Sequence, residues 1–160
     1  MHFPNKAIRP KPSISSDYNN DIIDRKINIG TVVSIDIAGI DHPKWNIILD
    51  LTDDKCLIAS VFINSEINFK YINSHELRDL QYLIRKSDYD FLDHDSFIDC
   101  SKVFTEPYSK FKEALIRNAV RKKGELPASE VNKIYDLVRK SKNITGSTKK
   151  RFQRLFGTGE

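Results

Sequence analysis

Cysteine is nearly missing from this chain: Cys56 and Cys100 are the only two among 160 residues. They lie far apart and neither belongs to a CxxC pair, which excludes a zinc ribbon and a disulfide framework and leaves both to pack as small hydrophobes. Histidine is scarce as well. His2, His42, His75 and His94 follow no metal-ligand spacing, and HExxH is absent. No GxSxG elbow occurs, and "GSTKK" (146–150) lacks the earlier glycine and the preceding strand that a phosphate loop requires. Long apolar runs are missing too: nothing approaches the roughly eighteen residues of a membrane span. The start "MHFPNKAIRPKPSISSDYNN" has no apolar core of a secretory signal. The expectation is a cytoplasmic chain with no membrane partner.

What is present fits one globular domain with an appended helical segment. The composition is 39% apolar and 30% charged, enough to bury a core. The net charge of +4 conceals an asymmetry. Residues 1–106 carry 12 Lys and Arg against 17 Asp and Glu, net −5, while residues 107–160 carry 14 against 5, net +9. A basic block of this kind is the electrostatic footprint for nucleic acid or for an acidic protein partner.

Residues 1–28, with Pro4, Pro10 and Pro12 and the polar "SISSDYNND", read as an N-terminal arm. Three strands follow. "GTVVSIDIAGI" (30–40) is rich in β-branched residues between glycines, and "KWNIILDLT" (44–52) and "KCLIASVFIN" (55–64) come after short turns, which predicts an antiparallel meander. Residues 65–87 fit either a helix or a strand, whereas "SFIDCSKVF" (96–104) alternates as a strand that buries Ile98 and Cys100. From Pro107 the pattern turns helical. "PYSKFKEALIRNAVRKK" places Phe111, Leu115 and Ala119 on one face, "PASEVNKIYDLVRKSK" places Val131, Ile134 and Val138 on one stripe, and "STKKRFQRL" makes a short basic helix opened by Ser147. Strands followed by helices imply an α+β fold.

The stretch "DYDFLDHDSFIDCS" (88–101) packs five aspartates, a histidine and a cysteine into fourteen positions. A metal centre built on His94-Asp95 would need further ligands on other helices, but the stretch runs straight into a strand in a histidine-poor chain. The reading is an acidic, solvent-facing loop at Asp90, Asp93 and His94 that shapes the approach to a strand.

The run "GTVVSIDIAGIDHPKWNIILDLTDDKCLIASVFINSE" resembles the opening of the PemK/MazF/Kid toxin superfamily: a G-x-V/I-V strand, a basic residue leading an aliphatic strand, and a third strand ending in small hydroxyl residues. "FLDHDSFIDCSKV" is similar to a late strand of the same proteins, so the resemblance covers about residues 29–104. It implies an SH3-like antiparallel β-barrel over 29–106 with a basic helical extension over 107–160. It also implies a homodimer, a type II antitoxin partner, and cleavage of single-stranded RNA without a metal or other cofactor. The chemistry is attack of the ribose 2′-hydroxyl on the adjacent phosphate, which needs a base, an acid, and a cation on the phosphorane. Where the family carries an arginine, this chain has Lys44, a point charge without the planar fork. The resemblance therefore points to His42 as acid or base, Lys44 on the phosphorane, and Ser65 with Asn64 on a phosphate oxygen.

Trp45 is a candidate for base stacking, among aromatics (Phe62, Phe91, Phe97) that mostly fill a core, and Asp95 or Asp99 for facing the RNA groove. Arg117, Arg121, Lys122, Lys123, Lys149, Lys150 and Arg151 are candidate RNA contacts, or a dock for an acidic partner. Two function classes stay open: a PemK/MazF-like endoribonuclease, and a non-catalytic barrel that binds nucleic acid or protein through its basic C-terminal helices.

Overall fold

The computed structural model describes residues 27–157. Nearly all of the arm expected over 1–28 lies outside the described residues. The fold is α+β, a seven-stranded antiparallel sheet with five helices among the described residues. The expected meander is there: β1 (Thr31–Ile35), β2 (Lys44–Leu51) and β3 (Leu57–Asn64) pair in sequence order. Within residues 65–87 both alternatives occur in succession. Ser74 caps a short helix α1 (His75–Asp79) by accepting from Leu77 N, and the chain then extends into β4 (Gln81–Ile84).

The stretch 96–104 forms two strands rather than one. β5 (Ser96–Asp99) pairs the C-terminal end of β3, and β6 (Phe104–Pro107) pairs its N-terminal half, both along the edge of β3 that β2 leaves open. The sheet order is β4-β5-β3-β2-β1-β7, with β6 beside β3. Among the described residues no ladder joins β4 to β7, so the sheet is open where a closed barrel was expected. Side chains span the gap instead. The Phe91 ring, in the loop after β4, occupies the place of a Cβ on Gly124 of β7, and the Tyr82 hydroxyl of β4 donates to Glu130 in the helix after β7. Burial and that hydrogen bond raise the Tyr82 pKa, which keeps the phenol a donor.

The stretch after Pro107 is not helical throughout. Helix α2 (Tyr108–Ile116) stops where Asn118 adopts a left-handed φ of 63°. Ala119 N donates to Ala114 O at 2.8 Å and Asn118 N to Leu115 O at 3.1 Å, which is the Schellman closure. The chain then enters β7 (Val120–Glu125), antiparallel to β1, so the segment read as continued helix supplies an edge strand. Lysines along such an edge deter pairing with other chains. α3 (Ala128–Lys140) follows with Val131, Ile134, Tyr135 and Val138 buried, and α4 (Gly146–Arg151) is capped by Thr145 rather than opened by Ser147. α5 (Gln153–Phe156) ends the described chain.

Both sheet faces are covered. Directly paired residues of an antiparallel ladder point to the same side. Val32, Ile47 and Val61 thus share a face, packed with Ile134, Val138, Phe152 and Leu155. Val33, Ile48 and Ile58 lie on the other, against Tyr108 and Phe111 of α2. A bulge between Ile48 and Asp50 leaves Leu49 as the extra residue, and the Tyr135 hydroxyl donates to its carbonyl. Buried Asp50 accepts Leu155 N at 3.0 Å and so ties α5 to the sheet. Gly30, at φ 92°, pins the start of β1: its N–H donates to Ile48 O at 2.7 Å and its carbonyl accepts Leu126 N at 2.9 Å.

Candidate active site

One end of the β2–β3 hairpin builds the site. His42 and Pro43 lead into β2, which opens with Lys44 and Trp45. The register Trp45↔Ile63 brings the close of β3, at Asn64 and Ser65, alongside them. A cavity of about 560 Å³ lies there, lined by His42, Lys44, Trp45, Asn64 and Ser65 together with Glu66, Tyr71, Gln81, Asp93, His94, Asp99 and Lys102. Residues 42–45 and 64–65, about twenty positions apart, thus converge through the ladder. The volume is in the range of small-ligand sites.

Lys44 lies with its ammonium 5.8 Å from the Phe62 ring centroid, and Phe62 stacks on Phe104 at 4.0 Å. Trp45 stacks on Phe91 with centroids 6.4 Å apart. A second bulge, between Val32 and Val33, leaves Lys123 as the extra residue of β7, and its ammonium lies 5.5 Å from the Trp45 centroid. Lys123, a predicted RNA contact, is therefore next to a cavity-lining ring.

Other predicted contacts lie elsewhere or are already engaged. Arg121 grips Asp36 with two nitrogens at 2.7 and 3.0 Å, and that guanidinium holds the Asp36 carboxyl below its ordinary range. Lys122 pairs with Glu125 at 2.9 Å. Arg117 ends α2, exposed to solvent. Lys149, Lys150 and Arg151 ride on α4. The Arg151 charge acts on Asp54, in the turn at the opposite end of the β2–β3 hairpin from the cavity. Asp95 does not line the cavity; its carboxylate accepts Lys86 N at 2.8 Å and closes the loop between β4 and β5.

The loop read as a plain acidic turn contributes a residue that the sequence reading did not place in the site. His94 lines the same cavity as His42. Its Nδ1 lies 3.1 Å from Asp95 O and 3.2 Å from Ser96 Oγ, while the Ser96 hydroxyl donates to His94 O. A carbonyl oxygen only accepts, so Nδ1–H is the donor to Asp95 O, and Nε2 is the ring nitrogen left for proton transfer. The sequence itself showed only that His42 and His94 each sit in a loop leading into a strand.

Asp99 is held by Gln81 Nε2 at 2.9 Å and by Ser101 N at 3.0 Å, which fixes the carboxylate at the wall. Among the described residues no three His, Cys, Asp or Glu side chains converge in a way that could hold a metal ion, and no helix is long and apolar enough to cross a membrane. No family model matches the chain, and no match was found among curated proteins.

Proposed function

We propose that this protein is a PemK/MazF-like endoribonuclease that cleaves single-stranded RNA through 2′-hydroxyl attack, on a sheet derived from the SH3-like barrel with basic helices after it. The observation that carries the reading is the convergence of His42, Lys44, Asn64 and Ser65 on one cavity with a second imidazole, His94. One neutral imidazole takes the 2′-hydroxyl proton as the oxygen attacks phosphorus. The other, protonated, delivers a proton to the departing 5′-oxygen, leaving a 2′,3′-cyclic phosphate and a 5′-hydroxyl. Lys44 carries the charge that develops on the phosphorane oxygens, and the Ser65 hydroxyl and Asn64 amide donate to them. Lys44 in the place of the family arginine supplies that charge from a single ammonium.

The test is purified protein with a mixed-sequence RNA in EDTA. The expected products end in cyclic phosphate, a 2′-deoxy substitution at the cleaved position blocks the cut, and the rate follows a bell-shaped pH profile. His42→Ala, His94→Ala and Lys44→Ala each lower the rate by about 10²-fold or more, the scale of a lost acid, base or oxyanion donor. Undiminished cleavage by these variants removes the assignment. RNA binding without cleavage supports the non-catalytic module in its place. An antitoxin partner and a homodimer belong to the same proposal, and growth arrest on expression, relieved by a co-expressed neighbouring gene product, is its cellular counterpart.

A further inference from the structure

We propose that loop 65–74 is a platform on which an unpaired nucleobase stacks, with Tyr71 at the cavity and Phe69 beyond it. This rests on the RNA reading above and names how the substrate is held. Phe69 and Tyr71 are the two most exposed large hydrophobic residues described, at 61% and 66%. Two aromatic rings left this far in water on one loop form an apolar face that a flat base can cover.

The loop is held in shape. Asn68 Oδ1 accepts Lys70 N at 3.1 Å, Asn68 O accepts Tyr71 N and Ile72 N at 3.0 and 2.9 Å, and buried Ile72 anchors the turn. A ring presented by a closed turn loses little further freedom on binding.

Each ring carries a cation: Lys70 Nζ lies 6.0 Å from the Tyr71 centroid and Arg78 Cζ 5.6 Å from that of Phe69. With Lys123 over Trp45 at 5.5 Å, three aromatic rings at or beside the cavity are each paired with a positive charge. The charges inside are different. Glu66, Asp93 and Asp99 line the cavity beside Lys44 and Lys102, so carboxylates that accept N–H donors such as those on a base edge lie next to the ammonium that takes the scissile phosphate. Rings for stacking at the rim, with carboxylates and lysines within, describe a site for a single strand that stacks a base on the loop while its scissile phosphate reaches Lys44.

The experiment uses a 2′-O-methyl RNA decamer, which cannot be cleaved, and an abasic decamer of equal charge. Binding is read by quenching of Trp45, the only tryptophan in the chain. The expected result is that the base-bearing strand binds at least about tenfold tighter, since stacking is worth a factor of roughly 5 to 150 per base. Tyr71→Ala removes most of that preference, Tyr71→Phe keeps it, and Phe69→Ala reduces it. Equal binding of both decamers by the unmodified protein, or a preference untouched by Tyr71→Ala and Phe69→Ala, overturns the platform while RNA cleavage at the cavity stands. No binding of either decamer at low salt overturns both the platform and the nuclease reading.

Discussion

Replacing Gly124 by alanine should damage the candidate site from outside it. A Cβ on Gly124 would fall 2.9 Å from both Cγ and Cε2 of Phe91, and closer still to Cδ2, so the ring has to leave its seat on β7. Overpacking of this kind costs about 1–3 kcal/mol, and the reduced freedom of the unfolded chain returns about 0.5 of it. The net loss is about 0.5–2.5 kcal/mol, a fall in Tm of roughly 1–10 °C for a chain of this size. Phe91 also stacks on Trp45 and lies tilted against Tyr89, so displacement of its ring passes directly to a cavity-lining residue. Because Trp45 is the only tryptophan, its emission reports the shift without a label. The assay is a double-mutant cycle with Phe91→Leu, which removes the ring that clashes. The expected coupling is favourable by about 1 kcal/mol, with the double variant more stable than the two single losses added together. Additive losses, or a Gly124→Ala protein with unaltered Trp45 emission and Tm, would refute the claim that Phe91 bridges β7 to the cavity.

Two further stability predictions concern the sheet. Gly30→Ala forces a side chain into a left-handed conformation and brings its Cβ 2.8 Å from Leu126 O. The expected loss, measured by denaturant unfolding, is about 2–4 kcal/mol. Burial, aided by the Asp50 charge, pushes the Tyr135 phenol from an ordinary 10 up to about 12. A raised folded-state pKa means that this stability is whole below pH 10 and is lost as the pH climbs towards 12, an amount on the order of 2 kcal/mol. Tyr135→Phe costs about 1–2 kcal/mol at pH 7 through the orphaned Leu49 carbonyl, and its unfolding free energy then falls less steeply than that of the unmodified protein over pH 10–12. Equal slopes would count against it. The buried Cys100 thiol, also raised to about 12, leaves a residual alkaline slope in both proteins.

How much was legible follows from where each signal resides. The meander was readable because β-branched runs separated by short connections rich in Gly, Asp and Pro have few other folds to adopt. The stripe Val131, Ile134, Val138 was readable because α3 has one buried face. Alternation in 30–40 was only approximate for a tertiary reason: Val32 and Val33 are both fully buried because helices cover both sides of β1. β7 was misread because "VRKKGE" continues the charge pattern of α2, and only the left-handed turn at Asn118 separates them. That turn had a local signal, asparagine at the residue after the helix cap, but a weaker one than glycine would give.

By itself the sequence determined the α+β class and the three-strand start, since hydrophobic period and turn chemistry act over a few residues; the group His42, Lys44, Asn64 and Ser65 rests on the resemblance to the toxin superfamily. Tertiary structure alone decided that His94 lines the same cavity as that group, that Asp95 does not, and that the sheet stays open with Phe91 against Gly124 across its gap. The reason is physical: ladder register and side-chain packing couple positions tens of residues apart, and no local pattern encodes which loop ends beside which strand.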